Sequence, residues 1–414
     1  VSQRNKDNKS DKPMSARSIF LIAAALIVVV VIGQFVVWPF IGFGQDRDMR
    51  MVGTGRGVTY NADAFPQFYS NDSRNFYFVT RDGIQFVSHE GLTRWHEIFN
   101  FTRPVMVSRG EIVAVGELSG GRSVYVFNAN GFMYRVDFEH PVLTFSVNES
   151  GFLAVILQYT TGYRIQVYNQ SRSSDPLFNQ LIIHADQMFP LTAEVSADGR
   201  YIATAIMDLS GVLNTFVQFR YISDWDAVGT NQGLFAEDNF PGQVVSRLRF
   251  MDDNRLIVAT TTQIVCFHVQ RSGGISSVRE VWRMNLQNAL THLEFYGNRH
   301  FAYVTGDRVV GEDNTDPIGT LRIMNINGTQ TGYFHLNRRA THLTMGNNAV
   351  IVGADRNFHA IDFNGRHLWE YITLHDTRDI IFLDSTDKIL VAGANIAEVM
   401  ERRRFRHEDD WIFD

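Results

Sequence analysis

The chain contains a single cysteine, Cys266, among 414 residues. No intramolecular disulfide can form, so stability must come from packing. Proline is scarce, at nine, and few strands need tolerate a lost hydrogen-bond donor. There is no His-Glu-x-x-His, no nucleophile motif, no pair of cysteines and no phosphate loop. The common zinc-hydrolase, nucleophilic and P-loop chemistries therefore lack their residues. Gly53-Thr-Gly-Arg-Gly57 imitates a nucleotide loop only superficially, because the third-glycine spacing is wrong and no helix pattern follows. Positive charge is also short. The net charge is −6; residues 1–17 carry five Lys or Arg against two Asp, or +3, which leaves −9 for the rest. An acidic body excludes a nucleic-acid partner, which would require clustered basic surface.

What the chain does have is apolar and aromatic. It is 45% hydrophobic and 13% aromatic, with 32 glycines for tight turns, a globular composition. Ile19–Phe43 is a run of 25 residues without a charge. As a helix at about 1.5 Å per residue it exceeds a hydrocarbon core of roughly 30 Å. We expect a transmembrane helix over residues 18–43, preceded by a basic tail, 1–17. Five Lys or Arg lie in the 17 residues before the run and three (Arg47, Arg50, Arg56) in the 17 after it. The positive-inside bias then predicts a cytoplasmic N-terminus and an extracytoplasmic body on a single-pass bacterial membrane protein. Residues 44–64 form a connector, and 406–414 a short C-terminal tail.

Residues 65–405 repeat. The clearest unit, Arg339–Tyr371, has four short runs rich in β-branched and aromatic residues, separated by turn residues. Asn364-Gly365 predicts a type I′ hairpin turn. Each unit has an inner strand with an apolar end residue, then a polar turn, then a continuous apolar strand. The end residues are Tyr69, Val107, Val147, Val195, Phe250, Phe295, Met345 and Phe382, at spacings of 38, 40, 48, 55, 45, 50 and 37. A period near 45 with four strands per unit predicts an all-β propeller of eight blades; seven blades with an extra hairpin is the alternative. The eighth unit has a poor fourth strand. Met51–Tyr60 is expected to supply it from the other end of the chain. Cys266 lies in a buried-strand pattern, Gln263–Val269, and reads as an inert core thiol.

Several outer strands read Gly-x-x-x-Trp: Gly91-Leu-Thr-Arg-Trp95 and Gly365-Arg-His-Leu-Trp369, with Trp282 similarly placed. Residues 358–371, FHAIDFNGRHLWEY, resemble the quinoprotein-type (WD40-like) propeller repeat. That resemblance implies an Asp-x-x-Gly turn leading to a Trp packed between blades. It also includes non-enzymatic propellers of bacterial outer-membrane assembly. Many dehydrogenases of the family use adjacent cysteines beside the cofactor; with one cysteine, no cofactor is expected.

Counted back from the end residues, the third inner-strand position holds Arg247, His292, His342 and Asp379, and the first holds Glu194, Arg249, Glu294 and Thr344. These share one side by the two-residue period. Arg247, His292, Glu294, His342 and Asp379 are the candidate ligand-binding set of a central channel, with no metal assigned. Thr291-His-Leu293 and Thr341-His-Leu343 are the same tripeptide at the same repeat position. Repeat descent, with each His bonded to a neighbouring blade, is the simpler reading. An acidic loop (Asp307, Glu312, Asp313, Asp316) reads as solvated. Asn169–Leu181 and Ser223–Pro241 are long interstrand segments, where Trp225, Phe235 and Phe240 are candidate partner anchors. The function expected is a non-catalytic protein-binding or scaffolding module of the cell envelope, with a channel-based enzyme or small-ligand receptor as the alternative.

Overall fold

The computed structural model describes residues 49–404, apart from 72, 119, 184–186, 223–232, 273–274, 307–318 and 374–375. The expected membrane span, both chain tails, the acidic loop cluster and Trp225 lie outside the described residues. Residues 51–402 form one compact unit.

Eight four-stranded antiparallel sheets follow one another along the chain. The eight inner strands are Gln67–Tyr69, Pro104–Arg109, Val142–Val147, Met188–Val195, Val245–Phe250, Leu290–Tyr296, His342–Gly346 and Asp379–Ser385. We number the blades 1 to 8 by these. The second strand of each blade is the continuous apolar run, such as Ala349–Ala354, buried along its whole length. It is covered on both faces because sheets pack against it from both sides.

The buried side chains fall into eight clusters, and each cluster joins two successive blades. One joins blades 1 and 2 (Tyr77, Val79, Val113, Phe127). Another joins blade 8 to blade 1 (Leu383, Leu390, Phe76, Phe78). Eight interfaces for eight blades means the ring closes. The closing strand is the expected one: Met49–Thr59 is the outermost strand of blade 8, beside Ile396–Arg404. Thr54 Oγ1 donates to the Val399 carbonyl at 2.8 Å, and Tyr60 N to Asn395 O at 2.9 Å. The chain thus enters and leaves the ring at the same face, the one bearing the turns that follow the inner strands.

The turns explain the Gly-x-x-x-Trp pattern and correct one expectation. Asn364-Gly365 does not form a type I′ turn. Asp362 Oδ1 accepts from Asn364 N (3.0 Å) and Arg366 N (2.8 Å), and Gly365 N donates to the Asp362 carbonyl (2.9 Å). The Asp side chain holds a right-handed turn in which only Gly365 has positive φ, 85°, followed by a bulge in the outer strand. The two-residue loop with positive φ at both positions is Asn347-Asn348, at 49° and 58°. The bulge turns Trp369 toward the next blade, where Nε1 donates to Thr386 O at 2.7 Å. Trp95 and Trp282 likewise donate to Ala129 O and Ile326 O, each at 3.0 Å. The Trp282 ring lies against Gly328, where a Cβ would sit 3.0 Å from the indole. This is the interblade Trp that the repeat resemblance implies.

Two further expectations are revised. Asn169–Leu181 and Ser223–Pro241 are not wholly interstrand, because Phe178–Ile183 and Leu234–Pro241 are outer strands. Phe240 is 1% exposed in the cluster between blades 4 and 5, with Phe235 packed against it, so neither is a free anchor. Cys266 is fully buried, and burial pushes its thiol up to about 12.

Candidate functional site

Every second residue of an inner strand faces the following blade, and these residues border the central channel. In blades 3 to 8 they are the expected positions. In blades 1 and 2 the reading slips by one residue. Met106 packs into the cluster between blades 1 and 2, and Val105 and Val107 into that between 2 and 3; Phe68 faces blade 8 and Tyr69 faces blade 2. The row on the following-blade side therefore runs Gln67 and Tyr69; Val105, Val107 and Arg109; Thr144 and Ser146; Thr192 and Glu194; Arg247 and Arg249; His292 and Glu294; His342 and Thr344; Asp379 and Ile381.

All five candidate residues lie on this row, on blades 5 to 8. His342 Nε2 donates to Ile380 O of blade 8 at 2.9 Å, while Nδ1 is 3.9 Å from Asp379 Oδ1. His292 bonds the Thr341 backbone of blade 7, with Nδ1 3.2 Å from Thr291 Oγ1. Burial, then the neighbouring His342 and Arg339, hold the His292 imidazole below its usual range. Both histidines thus bridge one inner strand to the next. Ser146, two residues further along its strand than the position equivalent to these histidines, donates to Ala193 O at 2.6 Å and does the same between blades 3 and 4.

The carboxyls are pushed upward. Glu294 opens to solvent along the channel yet is ringed by protein, and the second condition dominates. Burial raises it to about 7, against the pull of Arg247 and the Phe295 N–H, with Asp379 adding to the rise. Burial raises Glu194 to about 8, opposed by Arg109 and Arg247. Asp379 is raised by burial, less the effect of His342 and the Ile380 N–H. Arg247 influences Glu194 of the blade before and Glu294 of the blade after. Among the described residues no His, Cys, Asp and Glu converge as a metal-binding group.

The position of Arg109 was not legible from the sequence. It is 5% exposed. Its Nε lies 3.3 Å from Glu149 Oε1 of blade 3, and a terminal nitrogen donates to Phe250 O of blade 5. Asn298, with its amide nitrogen turned inward, donates to Glu149 (3.0 Å) and Met251 O (2.7 Å). One guanidinium thus ties blade 2 to blade 5 across the ring. A cavity of about 390 Å³ opens beside it, bordered by Tyr69, Arg109, Glu149, Arg249, Glu294 and Tyr296. Continuing the two-residue period from Val107 in the corrected frame would have placed Arg109 on the channel row.

This ring belongs to the DUF5711 family. The model for that family, described as a family of unknown function, matches residues 60–401. No curated protein matches. Among solved structures, Chaetomium thermophilum Sqt1 bound to the N-terminus of the ribosomal protein L10 is 10% identical, at TM-score 0.55, over 85% of this chain and 100% of that one. Saccharomyces cerevisiae Sqt1 is 9% identical at TM-score 0.53, over 84% and 98%. BamB from Moraxella catarrhalis is 14% identical at TM-score 0.47, over 87% and 99%. At such identities the likeness is one of fold.

Proposed function

We propose that this DUF5711 member is a membrane-tethered, extracytoplasmic propeller that binds protein partners as a non-catalytic scaffold of the cell envelope. The observation that carries the reading is one face of the ring. The turns between second and third strands, and the loops leading into inner strands, share the face opposite the entry and exit of the chain. Ile98 (75% exposed), Val212 (87%), Ile372 (64%), Phe65, Leu209 and Ile396 all stand on it. Isolated exposed apolar residues are ordinary, but their gathering on loops of a rigid ring suits a protein interface. The fungal Sqt1 structure, bound to the N-terminus of the ribosomal protein L10, is a propeller of similar size that takes a protein segment. The run Ile19–Phe43 and its flanking charges support the tether.

Two measurements test this. Leu92→Cys, 57% exposed on the face opposite the proposed interface, should react with a membrane-impermeant maleimide on intact cells, against a silent background, because Cys266 is buried. Labelling only after lysis would overturn the extracytoplasmic placement. Crosslinking in membranes should trap a partner with the wild-type chain and lose it with Ile98→Asp/Val212→Asp; an unchanged crosslink would remove that face as the interface.

A further inference from the structure

We propose that the cavity at the chain-entry face of the channel is a binding site for a carboxylate, held by Arg109 and Arg249. Two guanidinium groups border one space of about 390 Å³, a volume in the range of small-ligand pockets. Neither is fully used among the described residues. Arg109 has Nε beside Glu149 and one terminal nitrogen on Phe250 O, but its Nη1 is buried without an acceptor. Arg249 stacks its guanidinium over Phe295, 5.6 Å from the ring centre, and its buried Nε also has no acceptor. Two guanidiniums with donors to spare on one cavity favour an occupant that accepts hydrogen bonds.

Guanidinium geometry selects the occupant. Glu149 is engaged by Arg109 and Asn298. Burial raises the Glu294 carboxyl, the other acid of the lining, which weakens its opposition to an anion. A planar carboxylate matches the paired N–H groups of a guanidinium. The aromatic side chains of Tyr69, Phe295 and Tyr296 give the remaining wall an apolar character suited to a short carbon skeleton. The source is a free organic acid or the carboxylate of a peptide.

Titration calorimetry on the full chain tests the site, with succinate, a pentapeptide bearing a free C-terminus, the same peptide amidated, and inorganic phosphate as probes. Saturable binding of succinate or of the free-acid peptide is expected, the stronger one naming the source. Arg249→Gln should weaken it about tenfold, the loss of one charge-assisted contact, with the melting temperature little changed because Arg249 forms no ion pair among the described residues. Arg109→Lys is a second variant that keeps the charge but loses the fork, and it should weaken binding too. The proposal is overturned if neither acid binds at millimolar concentration, if phosphate or the amidated peptide binds as well as the acids, or if Arg249→Gln binds like wild type.

Discussion

The two arcs of the channel wall solve the same problem with different residues. In blades 1 to 3 the inner-edge positions are nearly all neutral. Gln67 accepts from Met106 N at 2.8 Å and donates to Pro104 O, Tyr69 donates to Gly110 O at 2.7 Å, and Ser146 reaches Ala193 O. In blades 4 to 8 equivalent positions hold Glu194, Arg247, Arg249, His292, Glu294, His342 and Asp379. Both arcs are stapled strand to strand, so neutral side chains suffice for closure. Charges in a confined site carry a desolvation cost, and replacing them with neutral groups is often no loss to stability. The ionisable arc is thus more than fold closure requires, and that excess is what gives the channel its chemistry.

The largest break of this comparison is at Arg109, the cation that joins the arcs. Arg109→Ala should destabilise the ring by about 3 kcal/mol, the upper end for losing a charge-assisted bond to a buried carbonyl. It strands the Phe250 carbonyl and leaves Glu149 with Asn298 alone. Chemical denaturation of the full chain measures it. A loss comparable to that of Ser146→Ala would show that the two arcs are not tied through this residue.

The ring itself was legible because its signals are periodic and redundant. Eight apolar second strands recur, and the missing fourth strand of blade 8 pointed to Met51–Tyr60 as its replacement. Two of the three interblade Trp residues, Trp95 and Trp369, announced themselves by the glycine four positions earlier. The site was only half legible. Arg247, His292, Glu294, His342 and Asp379 follow from a two-residue period once the frame is right. In blades 1 and 2 the end residues Tyr69 and Val107 are apolar on the wrong side, since aromatic and branched residues pack equally well against either neighbour. Period alone could not fix the frame, and Arg109 fell into a presumed turn. The Asn-Gly turn was misread for a related reason: the preceding Asp362, not the dipeptide, decides the turn type.

A smaller effect separates the histidine staples from the serine one. His342→Ala removes the donor to Ile380 O and the neighbour that draws down Asp379, at a cost of about 1–3 kcal/mol. Ser146→Ala removes one neutral bond, at about 1 kcal/mol. His342→Gln, which keeps a donor of similar reach, should recover most of the loss. Equal melting temperatures for His342→Ala and wild type would show that the Nε2 bond does not hold the seam.

The smallest expected effect is the pH dependence of stability near neutrality, and there it belongs to the charged arc. Glu194 and Glu294 have folded values of about 8 and about 7, above the roughly 4.3 of an unfolded glutamate. Between those limits the native ring binds more protons than the unfolded chain, so stability falls as pH rises. The contribution is fully present below the unfolded value and is lost as pH climbs through 7 and 8. Histidines with lowered values, His292, His300, His359 and His367, act oppositely, but only below about 6.5. The window from pH 6.5 to 8 is therefore governed chiefly by the two glutamates, each faced by Arg247, with Arg109 acting on Glu194 and Asp379 on Glu294. Melting temperature should drop by a few degrees across that window in wild type and stay flat in Glu194→Gln/Glu294→Gln. A double variant that keeps the wild-type slope would move the titration out of the channel, and with it the distinction between the arcs.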